Sequence, residues 1–287
     1  MSEEKTKLLV TGASGQVGGA LLEQMKDDQP QLEIIAALRD VKELSDWPHK
    51  RAFDFTEPGT FATALKGIDI LFLLRPPQIS DVKKYFAPLL AEAQNRGLKT
   101  IVFLSVQGAE SSSVIPHRKI EKLLEEGDFQ YIFLRPGYFM QNLTSTLLKE
   151  IKEERRITLP AGKAKFNWVD VEDVARVARQ CILSFDHFRN QALTLTGPKN
   201  LNFYSVAKLL SAEIGEQVEY RPVNPLRFYF MKRKQGLNSG FALVMIILHF
   251  LPRLQNEPEI TDTIFKVTKS EPVTLKNFLD REAHRFD

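Results

Sequence analysis

Thr11-Gly12-Ala13-Ser14-Gly15-Gln16-Val17-Gly18 sets three glycines at GxxGxxG spacing. An apolar run, Leu8–Val10, leads into it, and Val17, Leu21, Leu22 and Met25 then recur on one helical face. A strand that turns through glycines into a helix is the arrangement that holds a dinucleotide pyrophosphate. Gly12 permits the tight turn, Gly15 puts no side chain in the way of the phosphates, and Gly18 lets the helix pack closely. The first amides of the helix lack intrahelical acceptors and carry the positive end of its dipole, so they attract an anion. The plainer use of such residues is an ordinary strand–turn–helix.

A second apolar run, Glu33–Leu38, ends in Arg39-Asp40. An acidic residue at such a tip bonds both ribose hydroxyls and repels a 2′-phosphate. A guanidinium grips phosphate through paired N–H donors. Arg39 therefore points to NADP(H) rather than NAD(H). The alternative is a solvated Arg39 with Asp40 on the ribose.

Around these positions the first half of the chain alternates strand and helix patterns. A short third strand is expected to end at Phe53-Asp54-Phe55. Ile68–Leu74 is a strand apolar enough to be buried on both faces. Asp81–Arg96 reads as a helix capped by Asp81 and stopped by Gly97. Thr100–Ser105 and Tyr131–Leu134 are strands flanking a helix over Ile115–Glu126, with Arg135-Pro136-Gly137 as a breaker. These short links predict an α/β, Rossmann-type doubly wound parallel sheet. Further strands are expected at Phe166–Val169 and Ala192–Thr196, with an extended stretch over Val218–Pro222 and helices from Asp170, over Asn202–Ile214 ended by Gly215, and through residues 225–255. The division expected is a nucleotide-binding domain of residues 1–135 with 166–196. A smaller, interleaved substrate lobe takes 136–165 with 197–287.

At 287 residues, 43% apolar and 26% charged, the chain can bury a substantial core. Its net charge of +3 implies no nucleic-acid partner. The single cysteine excludes an internal disulfide framework and suits a reducing cytosol; at its helical spacing Cys181 reads as core. The polar start, Met1–Lys7, has no signal-peptide pattern, so a cytoplasmic protein is expected. The longest apolar run, Phe241–Leu251, is too short to span a bilayer and is broken by His249. It reads as a buried helix or pocket wall, with an interfacial membrane contact as the other reading, since Lys232-Arg233-Lys234 lies just upstream. The histidines are scattered, with no metal-binding spacing, and there is no GxSxG nucleophile elbow.

Leu74-Arg75-Pro76-Pro77-Gln78, the run Val102 to Ala109, the run Leu134 to Asn142 and Val169-Asp170-Val171-Glu172-Asp173-Val174-Ala175 follow the glycine turn in order. Together the chain resembles the NmrA-like branch of the atypical short-chain dehydrogenase/reductases. That branch includes NADPH-dependent quinone, azo-dye and triphenylmethane reductases, and NADP-binding regulators without catalysis. The resemblance implies cofactor contacts from Gly12, Ser14, Gly15, Gln16 and Val17 to the pyrophosphate, Arg39 to the 2′-phosphate, and Asp54 with Phe55 around adenine. Leu74 and Arg75 would line the ribose and nicotinamide side. Ser105 is part of the same set, and Gly137, Tyr138, Phe139 and Asn142 would wall the nicotinamide. Arg75 is equally readable as a surface charge.

The acid departs from the wider family. Short-chain reductases protonate carbonyls with Tyr-x-x-x-Lys on the helix after the fifth strand. Here His117 and Glu121 occupy those two positions. Tyr204 and Lys208 match the spacing on a helix far along the chain and read as coincidence. His117 is open to two readings: a general acid, since an unperturbed imidazole titrates near neutrality, or a pocket spacer. A quinone takes hydride to give a stabilised hydroquinone anion that water can protonate. A ketone gives a basic alkoxide that needs the acid. The expectation is thus an NADPH-dependent reductase of a small apolar or conjugated acceptor. The rival is an NADP(H)-sensing regulatory protein, and a nucleotide-sugar epimerase is disfavoured because it also needs the missing pair. A homodimer is compatible with the sequence, which leaves the oligomeric state open.

Overall fold

The computed structural model describes residues 5–26, 31–44, 46–113 and 115–286. The first four residues of the polar start lie outside them. In chain order come β1 (Thr6–Val10), α1 (Gln16–Gln24), β2 (Leu32–Leu38), β3 (Lys50–Ala52), α2 (Phe61–Ala64) and β4 (Ile70–Leu74). Next are α3 (Val82–Asn95), β5 (Thr100–Leu104), α4 (Pro116–Glu126), β6 (Gln130–Pro136), β7 (Tyr138–Phe139), α5 (Leu148–Glu154), β8 (Arg156–Leu159) and β9 (Lys165–Val169). They are followed by α6 (Val171–Leu183), α7 (Phe185–Phe188), β10 (Gln191–Leu195), β11 (Asn200–Asn202), α8 (Phe203–Ile214) and β12 (Glu219–Pro222). The last helices are α9 (Pro225–Lys234), α10 (Ser239–Phe250), α11 (Thr263–Thr268) and α12 (Leu275–Glu282).

The chain divides into two units. The first comprises Met1–Pro136, Val171–Leu195 and Thr263–Lys269, and the second Gly137–Asp170, Thr196–Asp262 and Ser270–Asp287. The first unit is built on a seven-stranded sheet in the order β10-β6-β5-β4-β1-β2-β3, every neighbouring pair parallel. The order reverses direction at β1/β4, the switch point of a doubly wound sheet. Apolar residues on both faces of the strands allow this. Leu9, Leu71, Leu73, Ile101 and Phe103 join Phe61, Phe86, Leu89 and Ile120 from α2, α3 and α4 in one core. On the alternate positions Leu8, Val10, Phe72 and Val102 are fully buried, and α6 packs on α1, β5 and β6. Asp81 caps α3 by accepting from the Lys84 amide at 3.0 Å, and Gly97 follows in the left-handed region at φ 73°.

Three expectations shift. β3 ends at Ala52, so Phe53, Asp54 and Phe55 lie just beyond the strand. β6 runs through Arg135 to Pro136 instead of breaking there, because β10 continues to pair alongside it from Gln191↔Ile132 to Leu195↔Pro136. Phe166–Val169 is a strand, β9, but it belongs to the second unit. There it is the middle strand of a three-stranded sheet, parallel to β7 and antiparallel to β11. The second unit adds the parallel pair β12–β8 and a core centred on Trp168, Phe203, Phe228 and Phe278. Two glycines there stand where a side chain cannot. A Cβ on Gly137 would lie 2.7 Å from the Asn167 carbonyl oxygen, and one on Gly197 only 1.7 Å from that of Trp168. Among the described residues no helix is long and apolar enough to cross a membrane.

Candidate active site at the carboxyl ends of the strands

Twelve of the expected site residues belong to the first unit, and most of them follow the carboxyl ends of β1 to β5, where open α/β sheets bind ligands. At the end of β1, Thr11 ties the switch point together. Its hydroxyl donates to the Phe72 carbonyl at 3.0 Å and accepts from the Leu74 amide at 2.8 Å. Gly12 then turns at φ 62°, and Leu74 lies against it: a Cβ there would sit 3.1 Å from Leu74 Cδ2. The Gly15 amide closes the turn on the Gly12 carbonyl at 2.9 Å. A Cβ on Gly18 would lie 2.2 Å from that same carbonyl oxygen, so α1 can approach the turn only with glycine there.

Gly15 is the N-cap of α1 and supplies no side chain to its first amides, and no acidic residue stands in the first turn. Ser14, Gly15 and Gln16 are exposed around this positive helix end, while the Val17 side chain is buried in the core. Val17 can therefore offer a ligand only its backbone. The arrangement fits an anion bridging the turn and the helix N-terminus. At the β2 tip Arg39 is exposed, with no ion pair among the described residues. Asp40 turns its carboxylate back to accept from the Lys42 amide at 2.9 Å. A guanidinium thus stands free at the β2 tip, and the neighbouring carboxylate is engaged in its own turn.

Two residues expected around adenine are held by the protein itself. Asp54 Oδ1 accepts from the Thr56 amide and hydroxyl, each at 2.7 Å. Phe55 is a core residue, its ring 4.8 Å from that of Phe53 and 5.0 Å from that of Phe86. Its side chain belongs to the core and not to a ligand surface, because the apolar ring gains more from that burial than from a solvated rim.

Arg75, at the end of β4, is neither a surface charge nor a free ligand. Its Nη1 donates to the carbonyls of Pro76, Pro77 and Ile79 at 3.0, 3.3 and 2.6 Å. The side chain therefore braces its own loop. Its Nε donates to His117 Nε2 at 3.3 Å. Burial of the imidazole, and then the adjacent Arg75 charge, push the His117 pKa down to about 3. At neutral pH His117 is uncharged, with Nε2 accepting, which is the wrong state for a general acid.

One turn further along α4, the position of the missing lysine holds Glu121, fully buried. Arg135 grips it with Nε on Oε1 and Nη2 on Oε2, both at 2.9 Å; Arg118 adds a bond to Oε2 at 3.0 Å. The Ser105 hydroxyl donates to Oε1 at 2.7 Å. Burial opposes the charge, but these donors together hold the Glu121 carboxyl below its ordinary range. Ser105, expected among the cofactor contacts, thus spends its one hydroxyl proton on Glu121. Arg135, read as part of a chain breaker, is the main partner of the cluster. The sequence signal was a lone acid on the apolar face of α4, beside Ile120 and Leu124.

In the second unit Gly137, Tyr138, Phe139 and Asn142 form one segment, β7 and the 3₁₀ turn after it. The Tyr138 hydroxyl lies 3.0 Å from His249 Nε2, and His249 Nδ1 lies 2.7 Å from the Met245 carbonyl. A carbonyl only accepts, so Nδ1 carries the proton and Nε2 accepts from the tyrosine. Burial pushes the His249 pKa down to about 4 and the Tyr138 pKa above its ordinary value. Sequence reasoning missed this tie, since His249 showed only as a break in an apolar run. Tyr204 is an exposed residue of α8 in this unit. Cys181 is fully buried on α6 with its thiol pushed up to about 12, a core residue as expected.

Residues 4–230 match the NmrA-like family. The chain belongs to it. An NAD(P)H azoreductase from Xenophilus azovorans is 28% identical over 97% of this chain and 99% of its own length. The same fold is seen in the crystal structure of Citrobacter sp. triphenylmethane reductase complexed with NADP(H). That structure has a TM-score of 0.81 and 24% identity, and the match covers 96% of this chain and 99% of that one. An NADPH-dependent quinone oxidoreductase from Escherichia coli, complexed with NADPH, has a TM-score of 0.82 at 22% identity over 98% and 100% of the two chains.

Proposed function

We propose that this NmrA-like protein is an NADPH-dependent oxidoreductase that passes hydride to a quinone or a similarly conjugated acceptor without a Tyr-x-x-x-Lys pair. The observation that carries the reading is Glu121. A buried carboxylate clamped by two arginines stands where a carbonyl reductase needs a lysine, beside a neutral His117 where it needs a tyrosine. An acceptor whose reduced form is a weak base needs neither. The names of the relatives support the same choice, since azo compounds, triphenylmethane dyes and quinones are all conjugated acceptors.

The turn at Gly12 to Gly15 and the amides of Gln16 and Val17 would hold the pyrophosphate, and Arg39 the 2′-phosphate. NADPH, when bound, supplies the hydride. The protein's part is then to hold these groups, to keep the β4–α3 loop braced through Arg75, and to leave protonation of the product to water. Ser105 acts on Glu121 and is a positioning residue, and His117 is a spacer between Arg75 and the mouth of the strands.

Purified protein mixed with NADPH and a panel of quinones tests this reading. The expected result is NADPH consumption with quinones and none with simple ketones. His117→Ala should lower the quinone rate less than about tenfold, because a positioned general acid contributes about 10²–10⁴ where one is required. A hundredfold loss would make His117 catalytic. Tight NADPH binding with no turnover on any acceptor would turn the assignment toward a nucleotide-sensing regulator.

A further inference from the structure

The second unit carries an apolar surface that nothing in the redox chemistry uses. Eight of the thirteen exposed large apolar side chains among the described residues fall between Leu226 and Leu254. On α9 they are Leu226 and Phe230, one turn apart and 74% and 67% exposed. On α10 they are Leu243, Val244, Ile247 and Leu248, continued by Leu251. At 100° per residue these five span one face of α10, opposite the buried Ala242, Met245 and His249. The helix therefore presents its apolar residues in two directions. One set packs inward and the other faces solvent.

The charges on the same segment are of one sign. Residues 225–254 contain no aspartate or glutamate. Arg227, Arg233, Lys234 and Arg253 are exposed. On the helical wheel of α9 the first three fall on the same side as Leu226 and Phe230, while Phe228 and Lys232 point inward. Lys232 is buried with its ammonium 5.4 Å from the Phe228 ring centre, so it takes no part in the surface.

An exposed apolar face whose own segment carries cations and no acid has a specific complement. A second copy of the chain meeting it face to face would set these cations against their own copies with no acid in the segment to pair them. A bilayer rich in anionic lipid satisfies both features: the apolar side chains enter the headgroup and acyl boundary, and the cations meet the headgroup phosphates and carboxylates. We propose that α9 and α10 form an interfacial docking surface for an anionic membrane, on which the protein lies without crossing it. The inference is independent of the redox reading.

Flotation of the full chain with vesicles tests it, using phosphatidylcholine alone and phosphatidylcholine with about a third phosphatidylserine. The expected result is binding to the anionic vesicles, little to the neutral ones, and release as salt is raised. Arg233→Gln with Lys234→Gln should weaken the anionic binding by roughly 30-fold, at about 1 kcal/mol per cation near the surface. Phe230→Ser with Ile247→Ser removes exposed apolar groups only. It should abolish vesicle binding while the circular dichroism spectrum and NADPH affinity stay unchanged. No binding of the native chain to anionic vesicles would overturn the proposal. So would equal binding to both vesicles unaffected by the charge variant. A dimer in sedimentation equilibrium that the Phe230 and Ile247 variant converts to monomers would assign the face to a second copy instead.

Discussion

At the scale of single residues, the site is decided by which polar groups remain available after the protein has used its own. Arg39 is available, because it is exposed and the neighbouring Asp40 is engaged by the Lys42 amide. Arg39→Ala should weaken NADPH by about 1.5–3 kcal/mol, the scale of a charge-assisted bond, and leave NADH little changed. Titration of both cofactors checks this, and equal losses would remove Arg39 from the site. His117 and His249 are held neutral, with pKa values of about 3 and 4 against 6.5 for a free imidazole. The unfolded chain therefore binds more protons than the folded one below about pH 6.5. The histidine contribution to stability is fully present above that pH. It is lost as pH falls, toward 4 for His249 and toward 3 for His117, at up to about 1.4 kcal/mol per pH unit for each group. Denaturant melts across this range should show the slope, and His249→Gln should remove about half of it. A flat profile would mean that the rings are not desolvated in solution.

At the scale of elements, the turn between β1 and α1 is set by close approach. With a Cβ at Gly18 placed 2.2 Å from the Gly12 carbonyl oxygen, Gly18→Ala must push the helix off the turn. Overpacking of this kind costs about 1–3 kcal/mol. The variant should both melt earlier and lose NADPH affinity. Gly15→Val adds bulk at an exposed position of the same turn, with its Cβ 3.1 Å from the Gly12 carbonyl oxygen, so it should lose affinity for both cofactors and melt closer to the native protein than Gly18→Ala does. Retained binding in Gly15→Val would place the phosphates elsewhere. On α4, opposite charges at i and i+3, Arg118 and Glu121, are pinned by Arg135 from β6. Removing Arg135 leaves a fully buried carboxylate with too few donors, a loss of about 3–5 kcal/mol. Arg135→Met should therefore destabilise the protein by that amount in denaturant melts. A change below about 1 kcal/mol would mean that water reaches Glu121.

At the scale of the whole molecule, a ligand that binds only the folded state stabilises it by mass action. NADPH at about one hundred times its Kd should raise unfolding free energy by about 2.7 kcal/mol, and NADH at the same concentration should add much less. Thermal melts with each cofactor measure the difference. An equal rise with both would contradict the reading of the β2 tip. The acid-induced loss from the two histidines and the gain from NADPH act on the same folding equilibrium. The cofactor should therefore raise the pH–stability curve and move the midpoint of acid unfolding to lower pH.

The sequence by itself determined the strand–turn–helix at Gly12 to Gly18, the parallel sheet and the absence of the Tyr-x-x-x-Lys pair. Each is written locally, in glycine spacing, in continuous apolar runs or in residue identity at a fixed position. Boundaries fixed by the next turn of chain were legible in the same way, as with Asp81 capping α3 and Gly215 following α8 at φ 74°. Tertiary structure alone decided what depends on partners distant in the chain. Phe55 became core because Phe86, 31 residues later, packs on it. Strand β9 left the main sheet because its pairing edges belong to β7 and β11. Ser105, Arg75 and His117 changed meaning because hydrogen-bond partners 16 and 42 residues away claimed their donors and acceptors. A side chain's chemistry is set by its desolvation and its neighbours, and chain folding assigns those neighbours from segments that no local pattern links.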